Sequence, residues 1–127
     1  MRILIFISLL SWFSTSYSDE IRCEFTAIDK VMVKEIEESD DEINFAFFFP
    51  KLEQGVLHQL ETIYSDELTF INRYEESKID ELEVYGTDFW LSKQHKPITV
   101  QAIYHLNGGA CYSVVSVKID KLNVTVE

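Results

Sequence analysis

Apolar and polar residues alternate along most of this chain, the pattern of a strand with one face on a core. In IRCEFTAI, Ile21, Cys23, Phe25 and Ala27 fall on one side and Arg22, Glu24 and Thr26 on the other. INFAFFF sets Ile43, Phe45, Phe47 and Phe49 on one face and adds Phe48 to the second, which is therefore partly covered or an exposed aromatic patch. LTFINRY, IDELEVY and DFWLSK read as further strands, with residues 75–83 open to a short helix instead. ITVQAIYHL and ACYSVVSVKI flank Asn107-Gly108-Gly109, and Asn-Gly supplies the positive φ angles of a tight hairpin turn. A last strand, LNVTVE, follows a turn at Asp120-Lys121.

One segment departs from period two. PKLEQGVLHQLETIY places Leu52, Val56, Leu60 and Ile63 at helical spacing, widened by Leu57 and Tyr64, with Pro50 suited to a helix start. The spacing predicts a helix here, against a cost of about 1 kcal/mol for Gly55 inside it. No repeat or Pro/Gly/Ser-rich linker divides the chain. The expected fold is mainly β, an antiparallel sandwich or open barrel of roughly six to eight strands with at most one helix.

The first residues change the count of what must fold. MRILIFISLLSWFSTSYS carries Arg2, an apolar run from Ile3 to Phe13, and Ser16 and Ser18 at alternate positions. This is the layout of a cleaved secretory signal peptide, residues 1–18, with the cut expected between Ser18 and Asp19. The apolar run falls well short of the ~20 residues that span a bilayer. Residues 19–127 are then a single β-rich domain. Cys23 and Cys111 are the only cysteines. In an oxidising compartment they are expected to form one disulfide, worth about 4 to 5 kcal/mol in the chain-entropy view.

Charge narrows the partners. The chain has 22 acidic and 11 basic residues, a formal charge of −11. Residues 19–88 hold 20 of those acids. A polyanionic surface repels phosphate backbones and anionic lipid, so nucleic acid and membrane surfaces are not expected as partners. A cationic protein or a divalent cation is.

Candidate chemistry adds little. His58, His95 and His105 fall on a predicted helix, a loop and a strand, without zinc-ligand spacing. Asp40, Glu42 and Asn44 alternate like the start of a calcium loop, but the template then meets Phe45 where Gly is required and Lys51 where Glu is required. Neither a nucleophile elbow, a zinc-protease helix motif nor a phosphate-cradling glycine loop is present. The chain is read as a non-enzyme with no catalytic residue, cofactor or metal.

What remains is the repeated meeting of acids with aromatics. Glu37, Glu38, Asp40, Asp41 and Glu42 directly precede the phenylalanine strand, Glu81 and Glu83 precede Tyr85, and Asp88 precedes Trp90. Aromatic anchors rimmed by charge suit protein binding, the rings supplying contact area and the acids steering. These ten residues are the candidate partner-binding surface. A leader, a small acidic domain, the Cys23/Cys111 pair and the NGGACYSVVSV hairpin together resemble small periplasmic inhibitor proteins. That group includes lysozyme inhibitors and the immunity proteins that protect type VI secretion bacteria from their own peptidoglycan-cleaving spike effectors. The resemblance lies in overall plan, and short lysozyme-inhibitor motifs are not evident, which favours the immunity branch. It implies a β-rich fold, a cationic cell-wall hydrolase or toxin effector as partner, and a homodimer. Two other classes stay open: a secreted small-ligand-binding module with an aromatic-lined pocket, and a structural subunit that assembles through sheet edges.

Overall fold

A computed structural model describes residues 21–64, the backbone of 68–71, and residues 73–127. The expected signal peptide, residues 1–18, lies outside them. Among the described residues nine strands form in order: β1 (Met32–Glu38), β2 (Glu42–Pro50), β3 (Gly55–Tyr64), β4 (Leu68–Ile71), β5 (Glu75–Ile79), β6 (Leu82–Ser92), β7 (Ile98–Leu106), β8 (Cys111–Asp120) and β9 (Asn123–Val126). Seven are of five residues or more, and β4 and β9 are four-residue edge strands. They make two open antiparallel sheets, one in the order β1-β2-β6-β5 and one in the order β4-β3-β7-β8-β9. The chain deals its hairpins to the two sheets in turn, as an antiparallel sandwich requires.

The core lies between the sheets. Ile43, Phe45, Phe47 and Phe49 of β2 face Leu57 and Leu60 of β3, Val100, Ala102 and Tyr104 of β7, and Val115, Val117 and Ile119 of β8. Phe45, Phe47 and Phe49 are wholly buried. Each such ring contributes about 1.5–3 kcal/mol relative to exposure. Phe48 turns to the outer face and lies over Gly86, where an added Cβ would meet its ring carbons at 3.3 Å.

The helix expected over residues 50–64 is a strand. The register of β3 on β7 pairs Leu57 with Tyr104 but Gln59 with Ile103, so one residue, His58, is inserted as a bulge. Leu57 and Leu60, three apart in sequence, are consequently both buried, at 3% and 1% exposure. Period two with one residue added imitates helical spacing. Val56, counted in the helical stripe, is exposed.

Other boundaries also move. IRCEFTAI is not a full strand: it makes one parallel bridge, Arg22 to Tyr112, before a 3-10 turn at Ile28–Lys30. IDELEVY is broken by a hairpin turn at Asp80-Glu81, both at positive φ (49° and 73°), and its second half joins DFWLSK in the single strand β6. Residues 75–83 are thus the β5–β6 hairpin rather than a helix. β1 was not anticipated, because its acidic residues leave little apolar alternation. The Asn107-Gly108-Gly109 hairpin forms as expected, with φ of 53°, 67° and 89°, and the last turn sits one residue later, at Lys121-Leu122.

Cys23 and Cys111 are disulfide-bonded, their Cα atoms 5.7 Å apart. Cys23 N donates to Tyr112 O at 2.7 Å, Tyr112 N to Ile21 O at 2.9 Å, and Ser113 Oγ to Cys23 O at 2.8 Å. The segment from Ile21 therefore occupies the half of the β8 edge that β9 leaves open. It also lays Phe25 against Tyr104, ring centres 5.1 Å apart.

Candidate functional site

The acidic turn is a hydrogen-bonded hairpin end. Ser39 N donates to Glu42 O at 2.9 Å while Glu42 N donates to Ser39 Oγ at 3.1 Å, closing Ser39–Glu42. Lys93 fastens it to the end of β6, its N–H donating to Asp41 O at 2.8 Å and its ammonium meeting Glu38 at 2.6 Å. Glu37, Glu38, Asp40, Asp41 and Glu42 are all exposed.

Cross-strand register carries this charge onto the outer face of the four-stranded sheet. Directly paired residues share a face, so Glu37, Asn44 and Trp90 form one row across β1, β2 and β6, and Lys34, Ala46 and Asp88 form the next. Trp90 keeps 44% of its surface exposed. Asn44 is buried beside it and donates to Asp88 Oδ2 at 3.1 Å, which orients that carboxylate. Beyond Asp88 the small residues Ala46 and Gly86 lie in an open groove of about 600 Å³, bordered by Ile36, Phe48, Tyr74 and Glu75.

The other predicted site residues are elsewhere. Glu81 lies in the β5–β6 turn and Glu83 near the start of β6, seven residues from Trp90, roughly 23 Å along an extended strand. There Lys51 N donates to Glu83 O at 2.9 Å and Lys51 Nζ meets Glu76 at 3.1 Å. The hydrogen bond to Glu76 holds the Lys51 pKa above its usual value. Tyr85 is not on the surface. Only 8% of it is exposed, because it pairs with Phe49 on the inward face and meets Tyr74 edge-on at 5.2 Å. β2 stops at Pro50 opposite Val84, so Glu83 has no β2 neighbour and faces solvent while Tyr85, of the same parity, does not.

The predicted ten therefore divide into an outer face with its hairpin end (Glu37, Asp40, Asp41, Glu42, Asp88, Trp90), Glu38, which pairs with inward-facing Ile43 and meets Lys93 at the margin, a separate acidic end (Glu81, Glu83), and a core residue, Tyr85. Sequence reasoning missed the groove: Tyr74 followed by Glu75 and Glu76 is another meeting of aromatic and acid, but Ile36 lies on a segment with no site signal, and only the fold brings Ile36, Tyr74 and Glu75 together. It also separated His58 from His105, whose ring centres are 4.5 Å apart. The bulge that hid the strand hid that pair as well.

Among the described residues, no group of three or more His, Cys, Asp or Glu side chains is arranged to hold a metal ion. Nor, among them, is any helix long and apolar enough to cross a membrane. The disulfide suits an oxidising, extracytoplasmic environment. The chain matches no protein-family model, no curated protein and no solved structure.

Proposed function

We propose that this protein is a periplasmic immunity protein that binds a cationic peptidoglycan-degrading effector and blocks its cleft. The observation that carries the proposal is the Glu37–Asn44–Trp90 row. It sets a half-exposed indole beside the acidic hairpin end on one sheet face. An enzyme whose cleft fits an anionic cell-wall polymer is positively charged there, and acids mounted on a hydrogen-bonded turn would meet that charge. Trp90 and the groove rim at Phe48 would supply the apolar contact that holds the complex after the acids have steered it in.

A hydrogen-bonded acidic edge is preorganised, so little ordering cost would be incurred on binding. The effect on the enzyme would be occlusion alone. Phe45, Phe47 and Phe49 are committed to the core, so they do not line a pocket for a ligand-binding module.

The test begins with immobilised oxidised protein, used to capture partners from periplasm of the source cells, followed by assay of each captured enzyme. Loss of a basic hydrolase's activity at one-to-one stoichiometry supports the proposal. Failure of any captured hydrolase to lose activity at saturating protein overturns it.

A further inference from the structure

On the sheet opposite the acidic face, His58 and His105 stand on neighbouring strands with planes inclined at 48° and ring centres 4.5 Å apart. Both are exposed. His58 is the extra residue of the β3 bulge, and the register on either side, Val56 with His105 and Gln59 with Ile103, brings its ring onto that of His105. The third histidine is occupied. His95 Nε2 accepts from Leu122 N at 3.2 Å, which leaves Nδ1 to carry the proton it donates to Lys96 O at 2.7 Å. Among the described residues, the nitrogens of His58 and His105 have no such partners, only each other's rings.

Two imidazoles on one ion, with metal–nitrogen bonds of about 2.0–2.1 Å and bond angles of about 90 to 110°, have ring centres roughly 4.5 to 5.2 Å apart. At 4.5 Å the two rings are close enough to reach a single ion once the side chains turn. The strands fix the two backbones, so chelation needs only side-chain rotation. An open depression lies beside His105, bordered also by Glu53 and Asn107.

We propose that His58 and His105 form a two-histidine chelate for a divalent first-row transition ion, binding Cu²⁺ ahead of Ni²⁺ and Zn²⁺ in the order set by ligand-field preference. The site lies on the other sheet from Trp90 and does not depend on the reading of the acidic face.

The experiment titrates tag-free oxidised protein with CuSO₄ and with ZnCl₂ in a non-coordinating buffer near pH 7.5, by calorimetry and by long-range ¹H–¹⁵N spectra of the imidazoles. The expected result is one equivalent of ion, with Cu²⁺ tighter than Zn²⁺. Zinc should shift the ring nitrogens of both His58 and His105 and leave His95 in place. His58→Asn and His105→Asn, checked for unchanged melting, should each weaken Cu²⁺ binding by at least tenfold. The proposal is overturned if neither ion binds, if both variants bind as the parent does, or if the imidazole shifts fall on His95 and not on His58 and His105.

Discussion

The Tyr104 hydroxyl donates to the Pro50 carbonyl at 2.9 Å, joining the middle of the five-stranded sheet to the last residue of β2 in the other sheet. Tyr104 is wholly buried, and a buried hydroxyl is costly unless bonded. Tyr104→Phe keeps the ring but strands the carbonyl, so it should lower stability by about 1–2 kcal/mol in urea unfolding.

The same burial gives a pH signature. It pushes the Tyr104 phenol well above its ordinary value of about 10. The folded protein keeps that proton where the unfolded chain releases it. The contribution is complete below about pH 10 and is progressively lost as the pH rises above it. Between pH 9 and pH 11 the parent should lose more stability than Tyr104→Phe. Equal losses would mean that this phenol is not the group responsible.

The turn at Asp80-Glu81 holds two residues other than glycine at positive φ, 49° and 73°. Such a conformation costs an L-residue roughly 1–2 kcal/mol, and glycine little. Glu81→Gly should therefore raise the melting temperature, against the usual direction for a glycine substitution. A fall would show that the acid makes a compensating contact.

Deletion tests the bulge in β3. Removing His58 leaves Leu57 and Leu60 two residues apart, the spacing of a regular strand, and both keep their inward face. Removing Glu61 instead places Leu60 directly before Thr62, both inward in the native strand, so one must turn outward. The first deletion should preserve near-UV dichroism. The second should abolish it or cost several kcal/mol.

The disulfide Cys23–Cys111 holds the N-terminal segment and Phe25 against the sandwich. Replacing both cysteines by serine should cost about 2–5 kcal/mol in denaturant unfolding. Reduction of the parent should reproduce most of that loss.

Replacing Glu37, Glu38, Asp40, Asp41 and Glu42 by lysine should slow association with the proposed hydrolase partner and remove the salt dependence of its rate. Trp90→Ala should act on dissociation, at about 2 kcal/mol if the indole is a central anchor. Glu81→Lys and Glu83→Lys, at the far end of β6, should change little. Stopped-flow association with the captured enzyme distinguishes these outcomes.

Much of the fold is legible where one face is fully buried. The β2 phenylalanines and the β7–β8 hairpin carry strong alternation and turn chemistry, and the cysteine pair follows from compartment. Legibility fails where local pattern and tertiary demand diverge. β1 is an edge strand with an acidic surface, so its alternation is faint. The Asp80-Glu81 turn lacks the asparagine or glycine that announces positive φ. Tyr85 shares parity with exposed Glu83, and only the end of β2 at Pro50 separates their environments. The acids around Trp90 are visible in sequence, but their division from Glu81 and Glu83 needs the length of β6.

The open margins of the four-stranded sheet are also charged. β1 has β2 on one side only, and β5 has only β6. β1 carries Glu35, Glu37 and Glu38 and is bent at Ile36, where its register shifts; β5 carries Glu75 and Glu76. Two copies approaching margin to margin would bring like charges together along the line where backbone bonds would form. The half of β8 that β9 leaves bare is taken by the disulfide-held segment from Ile21. At neutral pH the four-stranded sheet therefore resists extension by margin-to-margin pairing with a second copy of itself, even when crowded.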